Sequence, residues 1–127
     1  MTKMKKGEIR QNLPVMYSLQ KCQSHDEQHC LLSELGDRPL NFFCNCVNQI
    51  LHDPKSVGIR GQSELSTFRN AMLPEKQFWI TLAKPSKTLE KKRRMISKHQ
   101  TGGALPLILA SLVPSLIELV SSAFRKK

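Results

Sequence analysis

The residues best suited to chemistry by type and spacing are Cys22, His25, His29 and Cys30. The two histidines stand four apart, on one side of a helical turn, with a thiol on either flank. Imidazole and thiolate are the usual ligands of zinc. Structural zinc sites, however, commonly pair their cysteines as CxxC, and no such pair occurs here. The spacing therefore predicts no metal. Nor does it predict catalysis. There is no Gly-rich phosphate loop, the histidines are scattered, and no nucleophile is grouped with a base and an orienter. The expectation is a non-enzymatic chain that needs no cofactor.

What remains is charge. Twenty Lys and Arg against ten Asp and Glu give a formal +10, and the excess is uneven. Residues 11–83 hold six basic and seven acidic residues, whereas residues 84–103 hold seven basic residues and only Glu90. Lys84, Lys87, Lys91, Arg94 and Lys98 recur at spacings of three and four, which lays them along one face of a helix. Leu89 and Ile96 fall roughly opposite. Like charges at that spacing repel one another, and a polyanion relieves the strain. Neutralising phosphates releases condensed counterions, so such binding ignores sequence and weakens steeply with salt. The predicted contacts to duplex DNA are Lys84, Lys87, Lys91, Lys92, Arg93, Arg94 and Lys98. No aromatic residue interleaves the run, which argues against stacking on single-stranded bases. Lys91 to Arg94 also has the composition of a nuclear import signal, a common pattern.

An apolar block of 21 residues follows, from Ala104 to Phe124, with Glu118 its one charge. As a helix it spans ~31 Å, enough to cross a hydrocarbon core. Leu105, Ile108, Leu109, Leu112, Leu116, Leu119, Val120 and Phe124 supply its greasy, membrane-facing surface. Ser111, Ser115, Glu118 and Ser122 make a narrow polar stripe that a plain anchor does not need. The stripe suits a helix lying on a membrane, or one that self-associates or docks on protein. A buried core helix is the less favoured reading, because a domain of about 70 residues has little surface to cover so wide an apolar face. Pro114, in mid-segment, is expected to kink the helix.

The elements that must position these features read as short helices. Residues 1–20 show no sustained period and contain Pro14, so they read as a basic flexible arm. Residues 21–83 read as a small helical domain. Its first helix runs from Ser24, a cap, to Leu35, with Gly36 ending it. A second opens at Asp37 with Pro39 and buries Leu40, Phe43, Cys44, Val47, Ile50 and Leu51, until Asp53-Pro54 stops it. After a loop over 55–62, Ser63 caps a third helix with Leu65, Phe68, Met72 and Leu73 inward. A fourth, from Glu75 to Ala83, turns Phe78, Trp79 and Leu82 inward. Residues 84–103 form the basic helix and a Gly-Gly hinge, and 104–127 the hydrophobic helix with its basic end. The expected fold is all-α: a small bundle of short helices, then a basic helix, then a separate C-terminal hydrophobic helix. No apolar stretch follows the basic start to make a secretory signal, so the four cysteines are expected as free thiols. Cys44 is a core residue, and Cys46 is too near it in a helix to share the inward face.

The run Gly102-Gly103-Ala104-Leu105-Pro106-Leu107-Ile108-Leu109, with Val113-Pro114 beyond, resembles the C-terminal end of the adenovirus core protein X family, precursors of a DNA-associated peptide. The wider pattern, Leu89 to Arg94 and then Gly-Gly, is similar to small proteins of Maverick/Polinton-type elements and adintovirus-like viruses. The adenovirus-like match covers about residues 91–124. The resemblance implies a minor virion or core precursor that condenses or tethers linear double-stranded DNA, found in the virion and the host nucleus. It also implies processing by an adenain-like cysteine protease at Gly102, Gly103 and Ala104, cutting after Gly103. Gln100 stands where that protease's sites carry Met, Ile or Leu. The rival expectation is a tail-anchored or single-pass membrane protein whose N-terminal domain is cytosolic.

Overall fold

The computed structural model describes residues 6–22, 24–59, 61–84, 86–98 and 104–125. They are all-helical, with no strand among them: α1 (Lys6–Gln20), α2 (His25–Ser33), α3 (Asp37–His52), a 3-10 turn (Pro54–Val57), α4 (Gln62–Met72), a second 3-10 turn (Leu73–Glu75), α5 (Lys76–Ala83), α6 (Leu89–Lys98) and α7 (Ala104–Arg125). The all-α expectation holds.

Helix α3 is the hub, touching α1, α4, α5, α6 and the first 3-10 turn. Of its expected stripe, Leu40, Phe43, Cys44, Val47 and Ile50 are buried and Leu51 is half-buried. Burial extends past the stripe to Phe42, Cys46, Asn48 and Gln49, while Arg38, Asn41 and His52 keep one side of the helix exposed. Cys46 need not share the face of Cys44 to be interior, because α3 is packed on more than one side. Asp53-Pro54 does end the helix, and Pro54 opens the 3-10 turn.

Residues 6–20 form a helix rather than an arm. Ile9, Asn12, Met16 and Leu19 recur at three and four and are buried. Pro14 sits inside the helix on its exposed side. It removes one N–H from the helix ladder, a loss that packing along the opposite face offsets. The chief neighbour of that face is α7.

Helix α7 is accordingly part of the bundle and not set apart from it. Leu105, Ile108, Leu109, Leu112, Val113 and Leu116 are all buried, against α1, α4 and the first 3-10 turn. Each such side chain contributes on the order of 1.5–3 kcal/mol through removal from water. The cover that a domain of 21–83 alone cannot supply comes from α1. Gly58, after the first 3-10 turn, has φ of 87°. A Cβ there would lie 3.1 Å from the Ser115 carbonyl oxygen on α7. That backbone position suits glycine on both counts.

Smaller departures have local causes. Ser24 does cap α2, its hydroxyl accepting from the Glu27 N–H at 3.1 Å. Gly36 does not end that helix in a left-handed turn but precedes α3 in extended conformation, with φ of −62° and ψ of 170°. Gly61, not Ser63, is the N-cap of α4. Phe68 and Met72 are buried on α4, while Leu73 begins the second 3-10 turn and is 62 % exposed. At 3.6 residues per turn Leu73 falls about 140° round the helix from Phe68, off the buried side.

Candidate polyanion-binding face

Helix α6 begins where the Thr88 hydroxyl accepts from the Lys91 N–H at 3.2 Å, with Glu90 in its first turn and Lys98 in its last. These placements suit the helix dipole. Ile96 is fully buried and Leu89 packs against the core, which fixes the rotation of the helix. Glu90, Lys91, Arg94 and Lys98 therefore face outward and are exposed. Lys84, which caps α5, is exposed, and Lys87 is half-buried in the connection to α6. Lys91 and Lys98 are two turns apart, about 10.5 Å along the axis. The Glu90 carboxylate lies 2.9 Å from Arg94, with both side chains largely in solvent. A pair of that kind is worth about 0.3–0.5 kcal/mol, so a phosphate competes for Arg94 at little cost.

Two of the seven predicted contacts point inward instead. Lys92 is 4 % exposed, its stem lying in the interior on the side of Ile96. Burial pushes the Cys44 thiol up to about 11, and the charge of Lys92 partly opposes that rise. Arg93 donates to the Leu35 carbonyl oxygen and to the Asp37 carboxylate, the latter at 2.8 Å, tying α6 to the corner between α2 and α3. A run of four consecutive cations must place some of them on the inner side of a helix, and the long stems of Lys and Arg tolerate it. Sequence reasoning missed Lys76, which shares with Lys98 the rim of a groove between α5 and α6. No local spacing reveals that pair, because it is made by helix packing.

The remaining predicted sites are placed as follows. Gly102 and Gly103 lie outside the described residues, and Ala104 opens α7. Of the predicted membrane-facing residues, Leu105, Ile108, Leu109, Leu112 and Leu116 are buried in protein, and Leu119 and Val120 pack partly against the core. The side chain of Phe124 lies outside the described residues. Among the described residues no helix is long and apolar enough to cross a membrane. The outward side of α7 mixes Leu107, 47 % exposed, and Ile117, 42 % exposed, with Pro114 and Glu118.

Among the described residues no group of three or more His, Cys, Asp or Glu could hold a metal. The Cys22 thiol donates to the Ser18 carbonyl oxygen at 3.5 Å, and the Cys30 thiol to the Glu34 carboxylate at 3.3 Å. Partial burial pushes the Cys22 thiol up, with the Glu27 charge adding to it. The hydrogen bond to Glu34, then that carboxylate's charge, pushes up Cys30. Both favour the protonated thiol over a ligating thiolate. Compared with protein-family models, with curated proteins and with solved structures, the chain matches none of them.

Proposed function

We propose that the protein binds duplex DNA without sequence preference through the outer face of α6, as a minor core component of a virus-like element with a linear double-stranded genome. One observation carries the binding: Leu89 and Ile96 seat the helix on the core while Lys91, Arg94 and Lys98 stand outward from it. A ridge held in place gives up little conformational freedom on meeting phosphate. Lys84, Lys87 and Lys76 extend the positive field beyond the helix. The viral setting rests on the sequence likeness of the basic run, Gly102-Gly103 and the Leu105-Pro106 aliphatic stretch. On this reading the protein acts by binding alone.

The test is the affinity for a short duplex measured across a salt series. With about four or five phosphates neutralised, log K is expected to fall with log salt at a slope near −4. Replacing Lys91 and Lys98 together by Gln should reduce that slope by roughly 1.8. Affinity indifferent to salt and to both substitutions defeats the proposal.

A further inference from the structure

The corner where α4, the second 3-10 turn and α5 meet carries an apolar feature beside the basic face of α6. Its outermost residue, Leu73, is 62 % exposed. On one side of it lies a pit of about 240 Å³ walled by Leu51, Met72, Trp79 and Ile80. On the other, an open groove of about 650 Å³ crosses Pro74, Phe78 and Met95 to reach Lys98. Leu73 and Lys76 line both cavities. The pit is rimmed by Arg69 and Lys76, the groove by Lys76 and Lys98 with the half-buried Glu75 also in its lining, and all three cations are exposed. Trp79 is fully buried, and its indole N–H, in a residue of the pit wall, meets no acceptor among the described residues.

We infer that this corner docks an amphipathic helix of a partner protein, apolar on one face and acidic along its flanks. Shape decides against a small ligand. Sites for such molecules run to roughly 300–1,000 Å³ and enclose most of what they bind. The pit is smaller and sized for one large side chain, and the adjoining groove is open. A helix fits both: one anchor enters the pit, and its neighbours a turn away cross Leu73 into the groove. Charge decides the partner's sign. Arg69, Lys76 and Lys98, three exposed cations against the one carboxylate of Glu75, attract acidic flanks and repel a basic segment, which sets selectivity more than raw affinity. Lys98 also belongs to the outer face of α6 and Lys76 extends its field, so a docked acidic helix and DNA compete for these two cations. The apolar part of the corner does not depend on the DNA reading.

A displayed library of random peptides about four helical turns long, panned against the whole chain at physiological salt, tests the inference. Trp79 is the chain's single tryptophan, so its emission reports occupation of the pit by a Trp-free peptide. Selected peptides should carry apolar residues at i, i+3 or i+4, and i+7 with an excess of Asp and Glu, and should shift Trp79 emission saturably. Leu73→Asp and Lys76→Glu, both at exposed positions, should each weaken binding about tenfold. Both variants should retain the helical spectrum of the parent. Leu73→Asp should leave DNA affinity unchanged, so loss of peptide binding is separable from loss of DNA binding. Failure to enrich any peptide, enrichment of basic ones, or affinity unmoved in both variants overturns the inference. So does an equal shift of Trp79 emission by phosphatidylserine vesicles, which would make the occupant a lipid surface.

Discussion

Arg93 on α6 donates to the Leu35 carbonyl oxygen at the end of α2 and, at 2.8 Å, to the Asp37 carboxylate that opens α3. A residue that belongs by sequence to a cationic run therefore works as a tie between three helices. The ion pair is mostly solvent-facing on the Asp37 side, at 83 % exposed, so by itself it is worth about 0.2–1 kcal/mol. The bond from a charged donor to a carbonyl contributes more, about 1.5–3 kcal/mol. Arg93→Ala is thus expected to lower unfolding free energy by about 1–3 kcal/mol and Asp37→Asn by less than about 1 kcal/mol. Denaturant titrations check both.

Lys91 and Lys92 are sequence neighbours with opposite duties. Lys91 is exposed on the outer face, and Lys92 is 4 % exposed beneath it. Lys91→Gln should reduce the salt slope of DNA binding by about 0.9 and leave stability nearly unchanged. Lys92→Met keeps the stem, removes a buried charge, and should leave the slope where it is while being neutral or stabilising. Equal loss of slope in the two variants would show that Lys92 swings out to reach phosphate.

Most helices were legible because their signals are local. The Ser24 cap, the Asp53-Pro54 stop and the α3 stripe each need only a few adjacent residues. The inward set on α7, Leu105 to Leu116, was also visible as an apolar pattern, but its solvent was misjudged. A greasy face does not say whether lipid or protein covers it, and here α1, α4 and the first 3-10 turn cover it. Ile9, Leu13, Met16 and Leu19 were the available signal for α1, at spacings of four, three and three, and Pro14 masked it. In the basic run the spacing puts Lys91, Arg94 and Lys98 on one outward face as expected, whereas Lys84 and Lys87 lie before α6 begins and do not share that face. It could not show that Lys92 and Arg93 turn inward, because long cationic side chains fit either side of a helix.

Gly58 lets the chain pass close to α7. With φ at 87°, and a Cβ there meeting Ser115 at 3.1–3.2 Å, alanine is strained by conformation and by contact. Gly58→Ala should cost about 1–3 kcal/mol, read as a lowered denaturant midpoint. The nearby exposed Gly61→Ala, without positive φ, should cost far less.

The buried thiols of α3 set an alkaline limit. Burial raises Cys44 from an ordinary 9.0 to about 11, and burial, then the charges of Glu8 and Cys44, pushes Cys46 higher still. Below the unfolded value both states hold the proton, and stability is complete. As pH rises past it the unfolded chain ionises while the folded thiols do not, so stability falls until the folded values are reached. For Cys44 the window is 9.0 to about 11. Melting temperatures across that window should fall less steeply in Cys44→Ala/Cys46→Ala than in the parent, whatever the absolute stability of the variant. An iodoacetamide time course should label Cys30 and Cys22 first, with Cys44 and Cys46 reacting only on unfolding.

The sharpest discrimination between a bundle helix and a membrane helix lies in α7. Leu112 is fully buried, and Leu107, five residues away, is 47 % exposed. In the bundle, Leu112→Ala leaves a cavity and should cost about 2–5 kcal/mol, whereas Leu107→Ser should change stability by less than about 0.5 kcal/mol. A helix surrounded by lipid would treat the two leucines alike, since both would face hydrocarbon or a like neighbour. Unfolding free energies of the two variants in detergent-free buffer therefore decide the matter. Equal, small effects would detach α7 from the core. An effect confined to Leu112 ties the stretch that looked most like a membrane anchor to the interior of the protein.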